Sequence, residues 1–490
     1  MRKILTIGIV CLTVVGAMCW PKGTVKGATA SITINPTRKL GPVNRFVFGQ
    51  NMETGDNARI FSSDTTNLDL IRTGGGFWNP TTRTPVPSVL AACSRVGTSV
   101  LRYPGGCLAH NFDWRRTVGP QAKRAGWTFG LDEYLALCAS LGAQPIITVS
   151  DYVLPASEMP ANAASMVEYL NAPADEKHPF AMQRKANGHA LPYGVKWFEL
   201  GNESIHGNHR LLPPRKYSPQ DYVDYANATA AAMRRVDPTI KIGIVTVPGD
   251  AADVQNDWNQ TVIRGAGQNA DFVVVHLYLS PTKGVFPGGA PATGQAEARL
   301  MSYHTLIKRS IGHDLPLAIT EFNGPAPERD TFQTALLSAD LLRVFLEPGM
   351  NILEANYWEF FNGAFGMLQS QGGGGGFKAK PAFELFTLWH EHFGNTLVSV
   401  GLQGLPPGVT ATASTGANGR IYLIVINQGR SDASANLTIA GANPSKVTMW
   451  QRTSSTMPDA LTAPRALSSA GASAGYSFPA MSMTAVEVSQ

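Results

Sequence analysis

Between residues 45 and 390 the chain alternates short apolar runs, rich in β-branched residues, with longer stretches whose apolar positions recur every three or four residues. The first pattern suits buried parallel strands, and the second suits amphipathic helices packed over them. It predicts eight strands: Phe46–Gln50, Ser99–Tyr103, Pro145–Val149, Lys196–Gly201, Lys241–Val245, Phe272–Leu277, Pro316–Thr320 and Ile352–Trp358. Helices are predicted between them, including Leu131–Leu141, Pro219–Val236, Gln295–Arg309 and Phe332–Leu346. Eight such units predict an α/β fold, a (β/α)8 or TIM barrel. The main rival is a doubly wound open sheet, and no glycine-rich phosphate-binding turn follows the first strand to support it.

After Gly394 the pattern changes to short alternating strands, such as Arg420–Ile426, Lys446–Trp450 and Met483–Val488, separated by Gly, Ser, Asn and Pro. That is the signature of a C-terminal β-sandwich. Ser31–Ile34 alternates in the same way ahead of the barrel and is expected to join the sandwich, stitching the two ends of the chain together. The expected layout is therefore a signal peptide (1–30), an N-terminal strand (31–44), a catalytic barrel (45–393) and the sandwich (394–490). Gly372–Gly376 is a run of five glycines after the last barrel strand, placed either as a lid over the active face or as a flexible insert. The sandwich has few aromatic residues to form a ligand-stacking platform, so its expected role is structural.

Composition narrows this picture only slightly. With 44% hydrophobic and 15% charged residues in 490, the chain has the makings of a large core, and disorder is excluded as the default. The net charge of +5 comes without a dense Lys/Arg run, so no nucleic-acid partner is expected. Met1-Arg2-Lys3, the apolar stretch Ile4–Trp20 and then Ala28-Thr29-Ala30 read as a cleaved secretory signal. The mature chain is then secreted or periplasmic, with no membrane association; an uncleaved anchor is the competing reading. Cys19 follows Met18, a poor fit to a lipidation site. Cys11 and Cys19 leave with the signal, so Cys93, Cys107 and Cys138 allow one disulfide at most, and the fold must rest on its core.

In such a barrel the chemistry sits at the C-terminal strand ends. Trp197-Phe198-Glu199-Leu200-Gly201-Asn202-Glu203 leaves the fourth predicted strand, and Leu317-Ala318-Ile319-Thr320-Glu321-Phe322-Asn323 leaves the seventh. These ends face one another across the barrel mouth. Glycosidic cleavage needs a carboxylic acid on the leaving oxygen and a carboxylate across the ring, and Glu203 and Glu321 are placed to supply them. Either alone would more often be a structural ion-pair residue; the opposed pair favours catalysis. Asn202 is suited to bond the hydroxyl next to the anomeric carbon. No metal or cofactor is required by this chemistry, and carbohydrate is the expected partner.

Gly201-Asn202-Glu203 and the strand ending at Glu321 resemble the acid/base and nucleophile sites of a superfamily of barrel glycoside hydrolases. Leu101-Arg102-Tyr103-Pro104-Gly105-Gly106, Asn111-Phe112-Asp113-Trp114-Arg115 and Gly119-Pro120 narrow the resemblance to family 51, mainly retaining α-L-arabinofuranosidases with a barrel and a β-sandwich. The resemblance implies Glu203 as acid/base and Glu321 as nucleophile. It also implies that Glu53 and Asn202 bind sugar hydroxyls, that Tyr278 lies near the nucleophile, and that Arg102 supports it. His276 reaches the site or stays structural. Cys107 stands where the family usually has Asn, and Trp358 closes an eighth strand closer to other families; either a sugar contact or core filling fits it. Glu199 is expected to turn toward the helix packing, and Glu359 has no clear role.

The implied activity is that of a secreted retaining α-L-arabinofuranosidase acting on plant or microbial polysaccharide or oligosaccharide by double displacement. The alternatives are a related glycosidase (D-arabinofuranosidase, β-xylosidase, β-glucuronidase or endo-glycanase), a transglycosylase, or a noncatalytic carbohydrate-binding protein.

Overall fold

The computed structural model describes residues 30–52, 74, 76–124, 126–208, 213–247, 257–281, 293–325, 328–361, 365–370, 377–442, 446–454, 466–469 and 475–489. Eight parallel strands close a barrel: Gly49–Asn51, Val100–Tyr103, Gln144–Val149, Trp197–Leu200, Lys241–Val245, Phe272–Tyr278, Leu317–Asn323 and Ile352–Tyr357. They are the eight expected strands, with ends shifted by at most three residues. The first strand closes the barrel by pairing Asn356 with Gly49 on one side and Gln50 with Leu101 on the other. Gly49 is required there, because a Cβ would lie 2.1 Å from Asn356 Oδ1.

The largest difference from expectation is at this strand, whose predicted first half, Phe46–Phe48, falls in a 3-10 helix that spans Arg45–Phe48. Asn44 explains it. Its carbonyl oxygen accepts from Phe46 N at 3.0 Å while its amide donates to Ile352 O and Leu353 O, so one side chain caps the turn and ties it to the last strand. Elsewhere local signals act in concert. Pro219–Val236 starts at a Ser218/Asp221 capping box with Pro at its first position, and Leu131–Leu141 ends on left-handed Gly142.

Ser31–Pro42 lies in a nine-stranded sheet, antiparallel to Thr396–Gln403 and parallel to Ala433–Ile439. Strands from both ends of that sheet, including Val447 and Tyr476, share one core with Ile32 and Ile34. The sandwich is thus a single sheet curled over on itself, with a core separate from that of the barrel. Leu368–Ser370 pairs antiparallel with Phe377–Ala379, and the glycine run between them lies outside the described residues. So does the N-terminal apolar stretch; among the described residues no helix is long and apolar enough to cross a membrane. Cys93 and Cys138 lie buried on separate helices, and neither they nor Cys107 form a disulfide.

Polar contacts lock barrel to sheet. Asp340, fully buried on helix Phe332–Leu346, accepts from Thr410 Oγ1 at 2.6 Å and from Gln428 Nε2 at 2.9 Å across the interface. It also accepts from Thr293 and Arg343 on the barrel side. Asp340→Ala leaves these buried and part-buried donors unmatched and is expected to cost about 3 kcal/mol, the low end for breaking a buried ion pair, because Arg343 keeps Glu297 and Glu347. Chemical denaturation of the variant measures this; an unchanged midpoint would refute the role.

Candidate active site

Arg102, on the second barrel strand, is completely buried, and its guanidinium organises the barrel mouth. Nε donates to Glu199 Oε1 at 2.5 Å, Nη1 to Glu321 Oε1 at 2.8 Å and Asn51 Oδ1 at 3.1 Å, and Nη2 to Asn202 Oδ1 at 2.8 Å. Burial alone would lower the guanidinium pKa, but the charges of Glu199 and Glu321 outweigh it and hold the pKa above its ordinary value. Arg102 is flanked by Leu101 and Tyr103, so strand alternation sends it to the barrel interior and its neighbours to the helix layer.

Glu321 lies at the end of the seventh strand, beside His276 in register. Besides the bond from Arg102, it accepts from Tyr278 Oη at 2.6 Å. Burial and the charge of Glu321 hold the Tyr278 phenol well above its ordinary pKa, so it remains a donor. Trp358 and Phe365 form a small buried cluster against Tyr278, separate from the main core. Trp358 therefore backs the tyrosine that contacts Glu321.

Glu203 follows the fourth strand through Gly201, at φ +94°, and itself has φ +40° and ψ +45°. This left-handed conformation costs a non-glycine residue roughly 1–2 kcal/mol, so the surroundings must enforce it. Its side chain is 18% exposed against 5% for Glu321, so of the two carboxylates it is the more accessible to water. Its Oε1 lies 2.9 Å from His276 Nδ1, and His276 Nε2 lies 3.1 Å from Thr320 Oγ1. Burial pushes the Glu203 pKa up, but the hydrogen bond and charge of His276 hold it down to about 2. For His276 burial acts downward, and the charges of Glu321 and Glu203 reverse it, so the imidazole is raised. The two groups titrate as a coupled pair in which each favours the charged form of the other.

One oxygen of Glu203, one of Glu321 and a nitrogen of His276 lie within 4.8 Å of one another. Among the described residues only these three could together hold a metal ion. The Arg102 guanidinium already supplies positive charge to Glu321, which disfavours a second cation beside it.

Of the other residues expected in the site, Asn202 is buried against Arg102. Cys107 is half-buried at the start of the short helix Cys107–Asn111. Glu53 lies outside the described residues. Glu199 corrects an expectation: it turns into the barrel, where Arg102 and Thr148 Oγ1 both donate to it at 2.5 Å. Apolar Phe198 and Leu200 on either side carried the signal, since it is they that face the helices. The sequence reading also missed Asn51, which accepts from Arg102 and donates to Thr320 O, and Glu354, buried lower in the barrel. Burial and the charge of Glu199 push the Glu354 carboxyl up to about 8. A charged residue inside a mostly apolar strand was the only cue to it. A cavity of about 1050 Å³ lined by Tyr152, Leu154, Pro213 and Tyr217 lies beside the Glu203 loop, and none of these site residues lines it.

With this geometry in place, comparison with known proteins is informative. The sequence pattern of the Alpha-L-arabinofuranosidase 1 domain matches residues 92–290. The chain is 28% identical over 207 residues, 39% of its length, to an exo-alpha-(1->6)-L-arabinofuranosidase of Bifidobacterium longum, and covers 37% of that protein. It is 26% identical over 281 residues, 52% of its length, to an intracellular exo-alpha-(1->5)-L-arabinofuranosidase of Streptomyces lividans, and covers 38% of it. It thus spans well under half the length of these curated relatives. Among solved structures, the alpha-L-arabinofuranosidase of Thermotoga maritima superposes with a TM-score of 0.73 at 20% identity, covering 94% of this chain and 100% of that one. The family 51 enzyme of Thermotoga petrophila gives 0.75 at the same identity and coverage. The chain is an α-L-arabinofuranosidase-like protein that resembles glycoside hydrolase family 51, in sequence across the middle of its barrel and in fold over nearly its whole length.

Proposed function

We propose that this chain is a retaining α-L-arabinofuranosidase in which Glu321 is the nucleophile and Glu203 the general acid/base. The observation that carries the reading is the approach of the two carboxylates to within 4.8 Å at opposed strand ends. Retaining glycosidases hold their carboxyl groups about 5–5.5 Å apart, whereas inverting ones leave about 6.5–9.5 Å for a water molecule. The L-arabinofuranosyl specificity is supported by the named activities of the relatives. Export is supported by the Met1–Ala30 pattern.

In the first step a Glu321 oxygen attacks the anomeric carbon, the glycosidic bond breaks, and its oxygen leaves with a proton from Glu203. Glu203 draws that proton from the pair it forms with His276. Formation of the ester neutralises Glu321 and weakens the hold on the pair's proton. Glu203 then takes a proton from water, whose oxygen displaces Glu321. Asn202 keeps its carbonyl oxygen on Arg102 and offers its amide N–H to the neighbouring sugar hydroxyl. Arg102 and Tyr278 hold one oxygen each of Glu321, fixing the attack line.

Hydrolysis of aryl α-L-arabinofuranoside, tested beside α-D-arabinofuranoside, β-D-xyloside and β-D-glucuronide, is the first check. Glu321→Gln is expected to reduce kcat by at least ~10⁴-fold and Glu203→Gln by roughly 10²- to 10⁴-fold. Turnover of another sugar alone would keep the two glutamates and change the substrate, and no turnover of any would sink the reading.

The pH profile tests the shared proton. Activity needs that proton, which is lost as pH rises through the raised pKa of His276, so the alkaline limb should lie above the ordinary imidazole range near ~6.5. In His276→Gln the proton must sit on the Glu203 carboxyl itself, and the alkaline limb is expected to move to lower pH. A limb unmoved in this variant would rule out the pairing.

A further inference from the structure

The left-handed backbone of Glu203 is flanked by two buried anchors, one on each neighbouring residue. Asn202 is tied to Arg102, as described. Ser204 is tied to a second set of groups that the proposed chemistry does not use. Its Oγ donates to Asp151 Oδ2 at 2.5 Å, and its carbonyl accepts from Tyr152 Oη at 2.7 Å. Asp151 ends the third barrel strand's exit and is wholly buried; its other oxygen lies 2.6 Å from Nδ1 of His110, also wholly buried. Tyr217 donates to the backbone carbonyl of Asp151 at 2.9 Å, and Ser150 to that of His110 at 2.9 Å. Asp151 therefore cannot move without breaking contacts to two other loops, those that follow the second and fourth strands.

The space around this anchor is closed. Gly201, at φ +94°, has Asp151 Oδ2 and Ser204 Oγ so near that a Cβ would lie 2.7 and 2.5 Å from them. The turn from Gly201 to Ser204 is folded tightly onto the carboxylate. Asp151 stands between His110 and Ser204, so the order of contacts is not that of a nucleophilic triad, in which the imidazole is central. A buried carboxylate accepting from both sides acts instead as a fixed point.

We infer that Asp151, held by His110, is a positioning residue that fixes Ser204 and thereby sets Glu203 in its left-handed conformation, in line with His276 and the leaving oxygen. The inference rests on the acid/base role proposed for Glu203. It assigns a function to the second and third barrel loops: they hold the proton donor, whereas Arg102 and Tyr278 hold the nucleophile.

The two roles separate by leaving group. A displaced acid slows departure of a sugar or alkyl alcohol, which needs a proton, and leaves departure of dinitrophenolate nearly untouched. The test measures kcat/KM, which reports the glycosylation step, for an arabino-oligosaccharide and for dinitrophenyl arabinofuranoside in wild type, Ser204→Ala, Asp151→Asn and Glu203→Gln. For Ser204→Ala and Asp151→Asn, the oligosaccharide value should fall at least ~10-fold and the dinitrophenyl value less than ~2-fold, with Glu203→Gln giving the same pattern more strongly. Ser204→Ala removes one hydroxyl from the anchor, so it tests the idea even if Asp151→Asn fails to fold. An equal fall on both substrates, or no change on either, would overturn the positioning role. Wild-type turnover with the leaving-group pattern confined to Glu203→Gln would leave the acid/base reading intact and remove Asp151 from it; absence of that pattern in Glu203→Gln would remove the reading itself.

Discussion

The buried guanidinium of Arg102 is the constraint on which the site depends. A charge with no exposed surface is tolerable only if its donors are matched by well-placed acceptors, and here Glu199, Glu321, Asn51 and Asn202 match them from three other strands and their ends. Arginine suits this position better than lysine, because its planar fork fixes the directions as well as the charge. Once Arg102 is placed, the oxygen of Glu321 and the amide of Asn202 have little freedom left. Glu199 is the counterweight: without it the cation would be neutralised by Glu321 alone. Its own charge in turn helps push Glu354 up to about 8, so that this second buried acid stays neutral in neutral solution.

The same electrostatics create a tension at Glu203. A general acid must hold a proton, yet His276 draws the Glu203 carboxyl down to about 2. The conflict disappears if the pair rather than the single residue is the acid. His276 lies 2.9 Å from Glu203 and 3.5 Å from Glu321, so a proton held on it would lie between the two carboxylates and offset their repulsion. In the proposed step, as bond cleavage builds negative charge on the leaving oxygen, Glu203 would pass a proton outward and recover it from the imidazole. The net charge of the site hardly changes during the step, which matters where water is scarce.

Much of this was legible in the sequence, because strand ends and periodicity are local. The eight strands followed from β-branched runs, and Glu203 and Glu321 from being polar at the ends of such runs. The 3-10 turn at Arg45–Phe48 was hidden because it depends on Asn44 reaching strand residues Ile352 and Leu353, some three hundred positions away. Glu199 was misjudged for a different reason. Its alternation with Phe198 and Leu200 was read correctly, but which face was the interior depends on where the bulky apolar pair goes, and a closed barrel sends that pair outward. His110, Asp151 and Ser204 come from three separate segments with no shared motif, so only the fold brings them together.

The two carboxylates are thus held on different principles. Glu321 continues a strand, and its position follows from barrel register and from Arg102 beneath it. Glu203 sits past the strand, on backbone that a non-glycine residue adopts only under constraint, and hydrogen bonds must supply what the ladder cannot. That difference suits the roles proposed for them. A nucleophile needs one fixed line of attack, whereas an acid/base must face the leaving oxygen and then a water molecule, and a loop anchored on both sides of one residue leaves that side chain room to do both.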